Sequence, residues 1–313
     1  MSIGITATEA LEILNIDSAE KFSEITKETE QVRKNLTGGK VEACSIINAR
    51  CGGCSEDCAF CAQSRRSEAD ISYYPLLDAD SMYRYAEKIA EKGVSRVGIV
   101  TSGRSVEYGS KELDTICEAV NKITANLKIK PCASLGLLDE KALSALKSAG
   151  LKRFHNNLET SESFFSTICT TRSYGDQIKT IRTAKNIGLE VCCGGIFGLG
   201  ESKKQRIEML EAIRDLDIDS VPLNFFTPIP GTPLEKFNDL TPFDCLKVIA
   251  AAALMMPDKV IRVCGGREYN LKEEQDRIFQ AGASAFMTGG YLVTPGRTVD
   301  EDIEMLKKLM ISL

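Results

Sequence analysis

The sequence predicts an α/β fold, a (β/α)8 TIM barrel with an N-terminal helical extension. The first indication is an alternation along residues 40–313, where eight short apolar or β-branched runs are each followed by a helical pattern. The second is that glycine ends several helical patterns, as in Ala149-Gly150 and Ile187-Gly188. Alternating βα units form parallel sheets, and eight such units close a barrel. Since no linker rich in Pro, Gly or Ser interrupts 40–313, we expect it to be one domain.

The extension, residues 1–39, contains a helical segment at 7–37 that is rich in Glu and Lys. Strands are predicted at 41–47, 95–101, 128–134, 152–158, 189–194, 219–225, 259–264 and 283–287. Helices are predicted at 80–92, 110–125, 139–149, 174–187, 203–217, 241–256, 271–280 and 300–312. The helix assignments rest on amphipathic spacing, which places Leu143, Leu146 and Ala149 on one face.

Composition excludes several classes of protein. The formal net charge of −5 disfavours binding to nucleic acids or anionic membranes. No run of about 18 apolar residues is present, and Met1-Ser-Ile-Gly-Ile carries no basic segment before an apolar stretch. A single histidine argues against Ser/His/Asp catalysis. We therefore expect a soluble, cytoplasmic protein without nucleic-acid or membrane partners.

Cys54, Cys58 and Cys61 form the most informative motif, with three thiols in one loop after the first strand. Three cysteine ligands on a four-iron cluster leave one iron open for a small molecule. Zinc prefers a closed tetrahedral set, which Cys51 could complete. The spacing therefore predicts a metal site but leaves both kinds of metal open.

Further cysteines lie at the ends of predicted strands, where a barrel of this type carries its chemistry. Cys132 is on the third strand, Cys192 and Cys193 are on the fifth, and Arg262 and Cys264 are on the seventh. Twelve cysteines in a chain of this length fit a reducing compartment better than a disulfide framework. The strand cysteines predict a second metal site inside the barrel, although small apolar filling of the barrel is an open alternative.

Gly194 and Gly195 follow the fifth strand and precede a helix. Glycine allows close approach of the backbone to a ligand, and helix N-termini favour anions. The segment lacks the spacing of the common nucleotide-binding motifs, so a tight βα turn is the alternative interpretation.

An ordered set of motifs from about residue 40 to 295 resembles biotin synthases, a family of radical S-adenosylmethionine (SAM) enzymes. The matching segments are the cysteine loop with Cys61-Ala-Gln-Ser, Asn157-Leu-Glu159-Thr-Ser, Cys169-Thr-Thr-Arg-Ser-Tyr, Val191-Cys192 with Gly194-Gly195-Ile-Phe-Gly-Leu-Gly-Glu, Ser220-Val-Pro-Leu-Asn224, Pro230-Gly-Thr-Pro-Leu, and Arg262 with Gly266-Arg267-Glu268.

The resemblance implies a barrel of the radical SAM type and a chemistry. Cys54, Cys58 and Cys61 would hold a [4Fe–4S] cluster whose open iron binds SAM. Reductive cleavage of SAM would release a 5′-deoxyadenosyl radical that takes hydrogen from dethiobiotin. An auxiliary cluster would then donate sulfur and yield biotin. The family further implies a homodimer and an electron donor such as flavodoxin or ferredoxin.

The resemblance also implies roles for single residues. Cofactor-binding positions are Phe60, Asn157, Glu159, Gly194 and Gly195. Substrate-binding positions are His155, Asn157 and Asn224, with backbone capping at strand ends as the alternative for the two asparagines and Glu159. Cys132, Cys192 and Arg262 would bind the auxiliary cluster, usually [2Fe–2S], and Cys192 and Arg262 would take part in the sulfur transfer there.

The chain departs from the family pattern at the second strand, where Gly98 replaces a cysteine ligand. Cys44 on the neighbouring first strand is the first candidate to replace that ligand. Cys264 is the alternate, because it lies on the same strand face as Arg262, whereas Cys193 points away from Cys192. The auxiliary cluster would then differ from [2Fe–2S], and a higher iron count is one hypothesis.

A second departure is Gln177, which stands where many relatives have an arginine for the SAM carboxylate. Arg172 is the candidate to compensate. The remaining alternatives are another radical SAM barrel enzyme, similar to a hydrogenase-cofactor maturase or a methylornithine synthase, and a non-catalytic iron–sulfur or zinc protein.

Overall fold

The computed structural model describes residues 4–313 and contains a closed parallel barrel. Its strand segments are β1 (Glu42–Arg50), β2 (Arg96–Thr101), β3 (Lys130–Ser134), β4 (Arg153–His155), β5 (Glu190–Cys192), β6 (Gly195–Phe197), β7 (Ser220–Phe225), β8 (Val260–Val263) and β9 (Ala285–Met287). They are ordered β5-β4-β3-β2-β1-β9-β8-β7-β6, and β5 also pairs with β7. Because β5 and β6 are two parts of one barrel strand, the predicted eight-stranded barrel is confirmed.

The helices follow the strands around the outside of the barrel. They are α1 (Ala7–Leu14), α2 (Ala19–Thr37), α3 (Ala79–Glu91), α4 (Lys111–Asn126), α5 (Glu140–Ala149), α6 (Glu162–Ile168), α7 (Tyr174–Asn186), α8 (Lys203–Asp215), α9 (Pro242–Met255), α10 (Arg267–Leu271) and α11 (Val299–Lys308), with a 3-10 helix at Lys272–Ile278. Within residues 4–313, no helix combines the length and the apolar character that crossing a bilayer requires.

Several boundaries differ from the sequence prediction. The predicted helix at 271–280 is a 3-10 helix over Lys272–Ile278, and α10 (Arg267–Leu271), which the sequence did not predict, precedes it; the backbone of Lys272, with φ 50°, separates the two. The predicted strand at 152–158 is shorter as regular structure, Arg153–His155, although the Asn156 and Leu158 N–H groups still donate to the Cys192 and Gly194 carbonyls before Glu159 adopts φ 70°. The segment 7–37 forms two helices, because Ser18 caps the start of α2 by accepting from the Lys21 N–H.

Strand β1 shows how the sequence separates the two faces of the barrel wall. Ala43 and Ile47 are buried against the surrounding helices, while Glu42, Cys44 and Ile46 alternate with them and face the interior. The same alternation places Cys192 on the interior cavity and Cys193 in the core between barrel and helices, as predicted.

Helix α9 is buried along nearly its whole length, from Cys245 to Met255. Its apolar surface is covered on one side by the barrel and on the other by α1 and α2. The N-terminal helices therefore complete the packing of this helix.

Candidate active site

One large cavity opens at the C-terminal ends of the strands and extends down into the barrel. The residues predicted as functional that line it are Cys44, Cys54, Cys58, Phe60, Cys61, Cys132, His155, Asn157, Glu159, Cys192, Asn224, Arg262 and Cys264. Gly194 and Gly195 are not among its lining residues. The loop thiols and the thiols of the barrel strands therefore share one cavity.

The three-cysteine loop is ordered by its own backbone. The Cys61 N–H donates to the Cys58 carbonyl at 3.2 Å, and the Cys54 N–H donates to the Gln63 carbonyl at 3.2 Å. Cys58 packs among apolar side chains, which are Phe165, Ile168, Leu199 and Phe226, with Phe60 at their edge. Burial raises the pKa of the Cys61 thiol to about 11, so this thiol needs a metal or a cation nearby to ionise.

Glu56 and Asp57, between the first two cysteines, attach the loop to the segment before α7. Asp57 accepts from the Thr170 N–H at 2.8 Å and from the Thr171 N–H at 3.2 Å. Glu56 accepts from the Thr171 hydroxyl at 2.7 Å and from Arg104 Nη1 at 2.9 Å. These buried carboxylates fix the position of the loop, a role that the cysteine spacing alone did not indicate.

Arg172 lies against the loop cysteines. Its Nη1 donates to Cys58 Sγ at 3.1 Å and pairs with Glu56 Oε2 at 3.1 Å, while its buried Nε has no hydrogen-bond partner. Cys169 Sγ is 3.8 Å from Cys58 Sγ, a contact that the sequence did not predict.

Cys51 is set apart from the cavity. It is buried, forms a β-bridge with Tyr74, and is not among the cavity-lining residues. Across residues 4–313, no three His, Cys, Asp or Glu side chains are arranged to hold a single metal ion. The position of Cys51 outside the cavity means that it does not share this space with Cys54, Cys58 and Cys61.

The second set of thiols lies on the barrel strands. Gly98 on β2 lies in register with Ile46 on β1 and with Cys132 on β3, and Cys44 precedes Ile46 by two residues on the same strand face. Cys44 and Cys264 line the cavity together with Arg262, and interaction with Cys264 and with the Arg262 guanidinium lowers the pKa of the Cys44 thiol. Both candidates for the missing ligand therefore lie together.

An ionic network lies at the N-terminal side of these cysteines, and the sequence analysis missed it. It comprises three buried arginines and two glutamates, which are Arg96, Arg153, Arg262, Glu42 and Glu190. The sequence feature that could have revealed the network is the charged residue at the first inward-facing position of several strands, where the core of a barrel usually carries aliphatic side chains.

The two predicted asparagines contact the backbone of neighbouring strands. Asn157 Oδ1 accepts from the Gly194 N–H at 3.2 Å, and its Nδ2 donates to Glu159 Oε2 at 3.3 Å. Asn224 donates to the Gly195 carbonyl at 3.1 Å and accepts from the Gly265 N–H at 2.9 Å. Each amide keeps further hydrogen-bonding capacity towards the cavity.

Gly194 and Gly195 are required by packing in this arrangement. A side chain at Gly194 would collide with the Pro222 carbonyl, and one at Gly195 would collide with Met209 and the Glu159 carbonyl. These glycines let β4, β6 and β7 approach closely and so position Asn157 and Asn224. A direct contact of either glycine with a cofactor stays a prediction.

His155 and Gln177 complete the wall of the cavity. His155 lies beside Cys192 in the β4–β5 register, and burial lowers the pKa of its imidazole. Gln177 Oε1 accepts from Asn156 Nδ2 at 3.0 Å, so the residue that replaces an arginine is a buried neutral group.

Comparisons with known proteins agree with this geometry. The Radical SAM superfamily profile matches residues 50–213, and that of the Biotin and Thiamin Synthesis associated domain matches residues 222–311. Biotin synthase from Pelobacter propionicus is 49% identical over 97% of this chain and 92% of its own length. Biotin synthase from Geotalea uraniireducens is 47% identical over 98% of this chain and 93% of its own length.

Solved structures with the same fold include a methylornithine synthase, at TM-score 0.87 and 21% identity, covering 99% of this chain and 94% of that one. The FeFe-hydrogenase maturase HydG from Carboxydothermus hydrogenoformans has TM-score 0.85 and 16% identity, and the match covers 98% of this chain and 75% of the maturase chain. These likenesses show the fold alone. The near-full-length relatives and the matching profiles show that the chain belongs to the biotin synthase family of radical SAM enzymes.

Proposed function

We propose that this chain converts dethiobiotin to biotin, using SAM bound at a [4Fe–4S] cluster and sulfur from an auxiliary iron–sulfur cluster. The observation that carries the proposal is the single cavity with two separate sets of thiols, one in the loop after β1 and one on the barrel strands. A substrate held between them would be within reach of both.

The loop residues fit the first cluster. Cys54, Cys58 and Cys61 would be its ligands, and Arg172 provides a cation next to the Cys58 sulfur. When bound, the cluster would supply the electron that cleaves SAM and so starts hydrogen removal from a saturated carbon, which no side chain could deprotonate. The chain's own residues position the reactants and exclude water.

The SAM-binding residues would lie around the loop. Phe60, Asn157 and Glu159 face the cavity beside it, and burial raises the pKa of the Glu159 carboxyl. The Arg172 Nε, buried and without a partner, supports a contact with the SAM carboxylate in place of the arginine that Gln177 replaces.

The strand residues fit an auxiliary cluster of unusual ligand set. Cys132, Cys192 and Arg262 would be joined by Cys44, with Cys264 as the alternate. The proximity of Cys44 to Cys264 and Arg262 supports this assignment. Buried nitrogens of Arg96 and Arg262 have no hydrogen-bond partner, which suits a site built for an anionic group. A site with more cysteine ligands than the family's usual [2Fe–2S] cluster has favours a cluster with more than two irons.

The substrate would lie between the two sets of cysteines. His155, Asn157 and Asn224 line this part of the cavity and present neutral polar groups. Amides and a neutral imidazole can pair with the donors and acceptors of dethiobiotin's ureido ring without transferring protons.

Three broader features belong to the proposal. A one-electron donor such as flavodoxin or ferredoxin would reduce the loop cluster, the chain would form a homodimer, and the enzyme would act in the cytoplasm. All twelve cysteines are free thiols, which supports a reducing compartment.

Anaerobic reconstitution tests the proposal. We expect more than one cluster per chain by iron and sulfide analysis, and a change in the electron paramagnetic resonance (EPR) spectrum when SAM is added. A chain that takes up a single zinc ion and does not respond to SAM would refute it.

A further inference from the structure

We propose that Glu42 is a positioning residue for the auxiliary cluster, because it holds the arginines that face that cluster's cysteines. The inference rests on the proposed function and goes beyond it, since Glu42 is neither a cysteine ligand nor a substrate contact.

A single carboxylate contacts all three buried arginines. Arg96 Nε donates to Glu42 Oε2 at 2.8 Å, and Arg153 Nη1 lies 3.6 Å from Glu42 Oε1. Arg262 Nη2 pairs with the same Oε1. Glu42 therefore fixes the relative positions of side chains from β2, β4 and β8.

Glu190 holds only part of this network. It pairs with Arg96 at 2.9 Å and with Arg153 at 3.0 Å. Within residues 4–313, Arg262 has Glu42 as its one ion-pair partner. Loss of Glu42 would thus leave Arg262 without a carboxylate, while Arg96 and Arg153 would keep one.

The arginines of the network are more deeply buried than its glutamates. The side chains of the three arginines are 3–6% exposed, whereas those of Glu42 and Glu190 are 27% and 41% exposed. The carboxylates therefore lie on the solvent side and the guanidinium groups point towards the cysteines. A buried guanidinium that loses its carboxylate is strongly destabilised, so Arg262 would move when Glu42 is neutralised.

The guanidinium groups have unused donors on the cysteine side. Arg96 Nη1 and Arg262 Nη1 are buried without a hydrogen-bond partner, and both arginines line the cavity with Cys44, Cys132, Cys192 and Cys264. Buried donors without acceptors are rare in folded proteins. Sulfur atoms of a bound anionic cluster would satisfy them.

The strand register ties the network to individual cysteines. Arg96 lies directly beside Cys44 in the β1–β2 pairing, and Arg153 lies directly beside Cys132 in the β3–β4 pairing. Residues that orient metal ligands in this way usually change metal affinity about 10- to 100-fold when they are replaced.

The test compares Glu42→Gln with Glu190→Gln, a matched control that touches Arg96 and Arg153 but not Arg262. Each variant and the parent is reconstituted anaerobically and exposed to EDTA, and iron and sulfide per chain are followed over time. The SAM-induced EPR change reports the loop cluster separately. We expect E42Q to lose auxiliary iron about 10-fold faster than the parent, with a parent-sized SAM response, and E190Q to lose it more slowly than E42Q.

A parent-like rate of iron loss in E42Q would overturn the inference while leaving the proposed function intact. Equal acceleration in E42Q and E190Q would overturn it too, since a general loss of stability would then explain both. If E42Q does not fold, Glu42→Asp decides: its shorter carboxylate should give a rate above the parent's, and a parent-like rate refutes the inference. A parent with one cluster refutes the proposed function itself.

Discussion

Arg172 Nη1 lies 3.1 Å from Cys58 Sγ, so a buried cation contacts one of the three loop thiols directly. The same nitrogen pairs with Glu56, which is itself fixed by Thr171 and Arg104. The loop cysteines are thus supported by a charged network whose arginines, Arg104 and Arg172, follow β2 and β4 in the chain. Cluster potentials depend on hydrogen bonds to the sulfurs and on nearby charge.

Replacing Arg172 with alanine should make the loop cluster harder to reduce. The variant loses a cation and a hydrogen bond at Cys58 Sγ, so the midpoint potential should become more negative, on the order of 1.5 kcal/mol in free energy. An EPR-monitored redox titration measures it. Arg206→Ala is the control, because Arg206 pairs with buried Glu201 outside the cavity. Equal potentials in the parent and R172A would contradict the assignment.

Replacing Cys44 with alanine should lower the iron and sulfide content of the auxiliary cluster. Cys44 lines the cavity beside Cys264 and Arg262, whereas Cys245 is buried in α9. We expect C44A to lose most of the auxiliary iron while its response to SAM is retained, and C245A to keep the parent content. Unchanged iron in C44A would show that Cys44 is not a ligand.

A cysteine at position 98 should compensate for loss of Cys44. A Cβ atom at Gly98 would lie 3.5 Å from Ile46 Cγ2, an ordinary contact, so Gly98→Cys should cost less than about 1.5 kcal/mol of stability. We expect the double variant C44A/G98C to recover iron that C44A lacks. Iron analysis measures this recovery, and thermal unfolding checks that the double variant is folded. An iron content no higher than that of C44A would argue against a cluster ligand at position 98.

Asp244 at the start of α9 should give the chain a measurable pH dependence of stability. Burial would raise the pKa of Asp244, but hydrogen bonds from Thr241 and Lys247 outweigh it and lower the pKa below its ordinary value. Its contribution is therefore complete above the unfolded-state pKa, about 4, and is lost as pH falls through the lower folded-state pKa.

The variant Asp244→Asn should unfold more easily at pH 7, by about 1 kcal/mol, and the difference from the parent should shrink below about pH 4. Thermal unfolding at matched pH values measures it. A difference that stays constant with pH would mean that the carboxylate charge contributes nothing.

The sequence predicted the barrel because its strands and helices alternate strongly, and period-two reasoning placed Cys264 on the same face as Arg262 and turned Cys193 away from Cys192. It could not predict the contact between Cys169 and Cys58. These residues are far apart in the chain, and contacts such as those of Asp57 with the backbone of Thr170 and Thr171 and of the Ala59 N–H with the Ile168 carbonyl bring their segments together.

The ionic network is a second example. Glu42 and Arg262 are separated by 220 positions in the chain, and they meet because β1 and β8 both pair with β9 in the closed barrel. Each residue alone resembles a charged strand end at the surface. Closure and register turn them into a buried group, which no local pattern encodes.

Anaerobic turnover with dethiobiotin, SAM and a reductant shows whether this chain makes biotin by radical chemistry. We expect biotin and 5′-deoxyadenosine to form together, and both to be lost when Cys58 is replaced by alanine. Formation of 5′-deoxyadenosine without biotin in the reconstituted parent would contradict this expectation, because the chain would then be a radical enzyme with a different substrate.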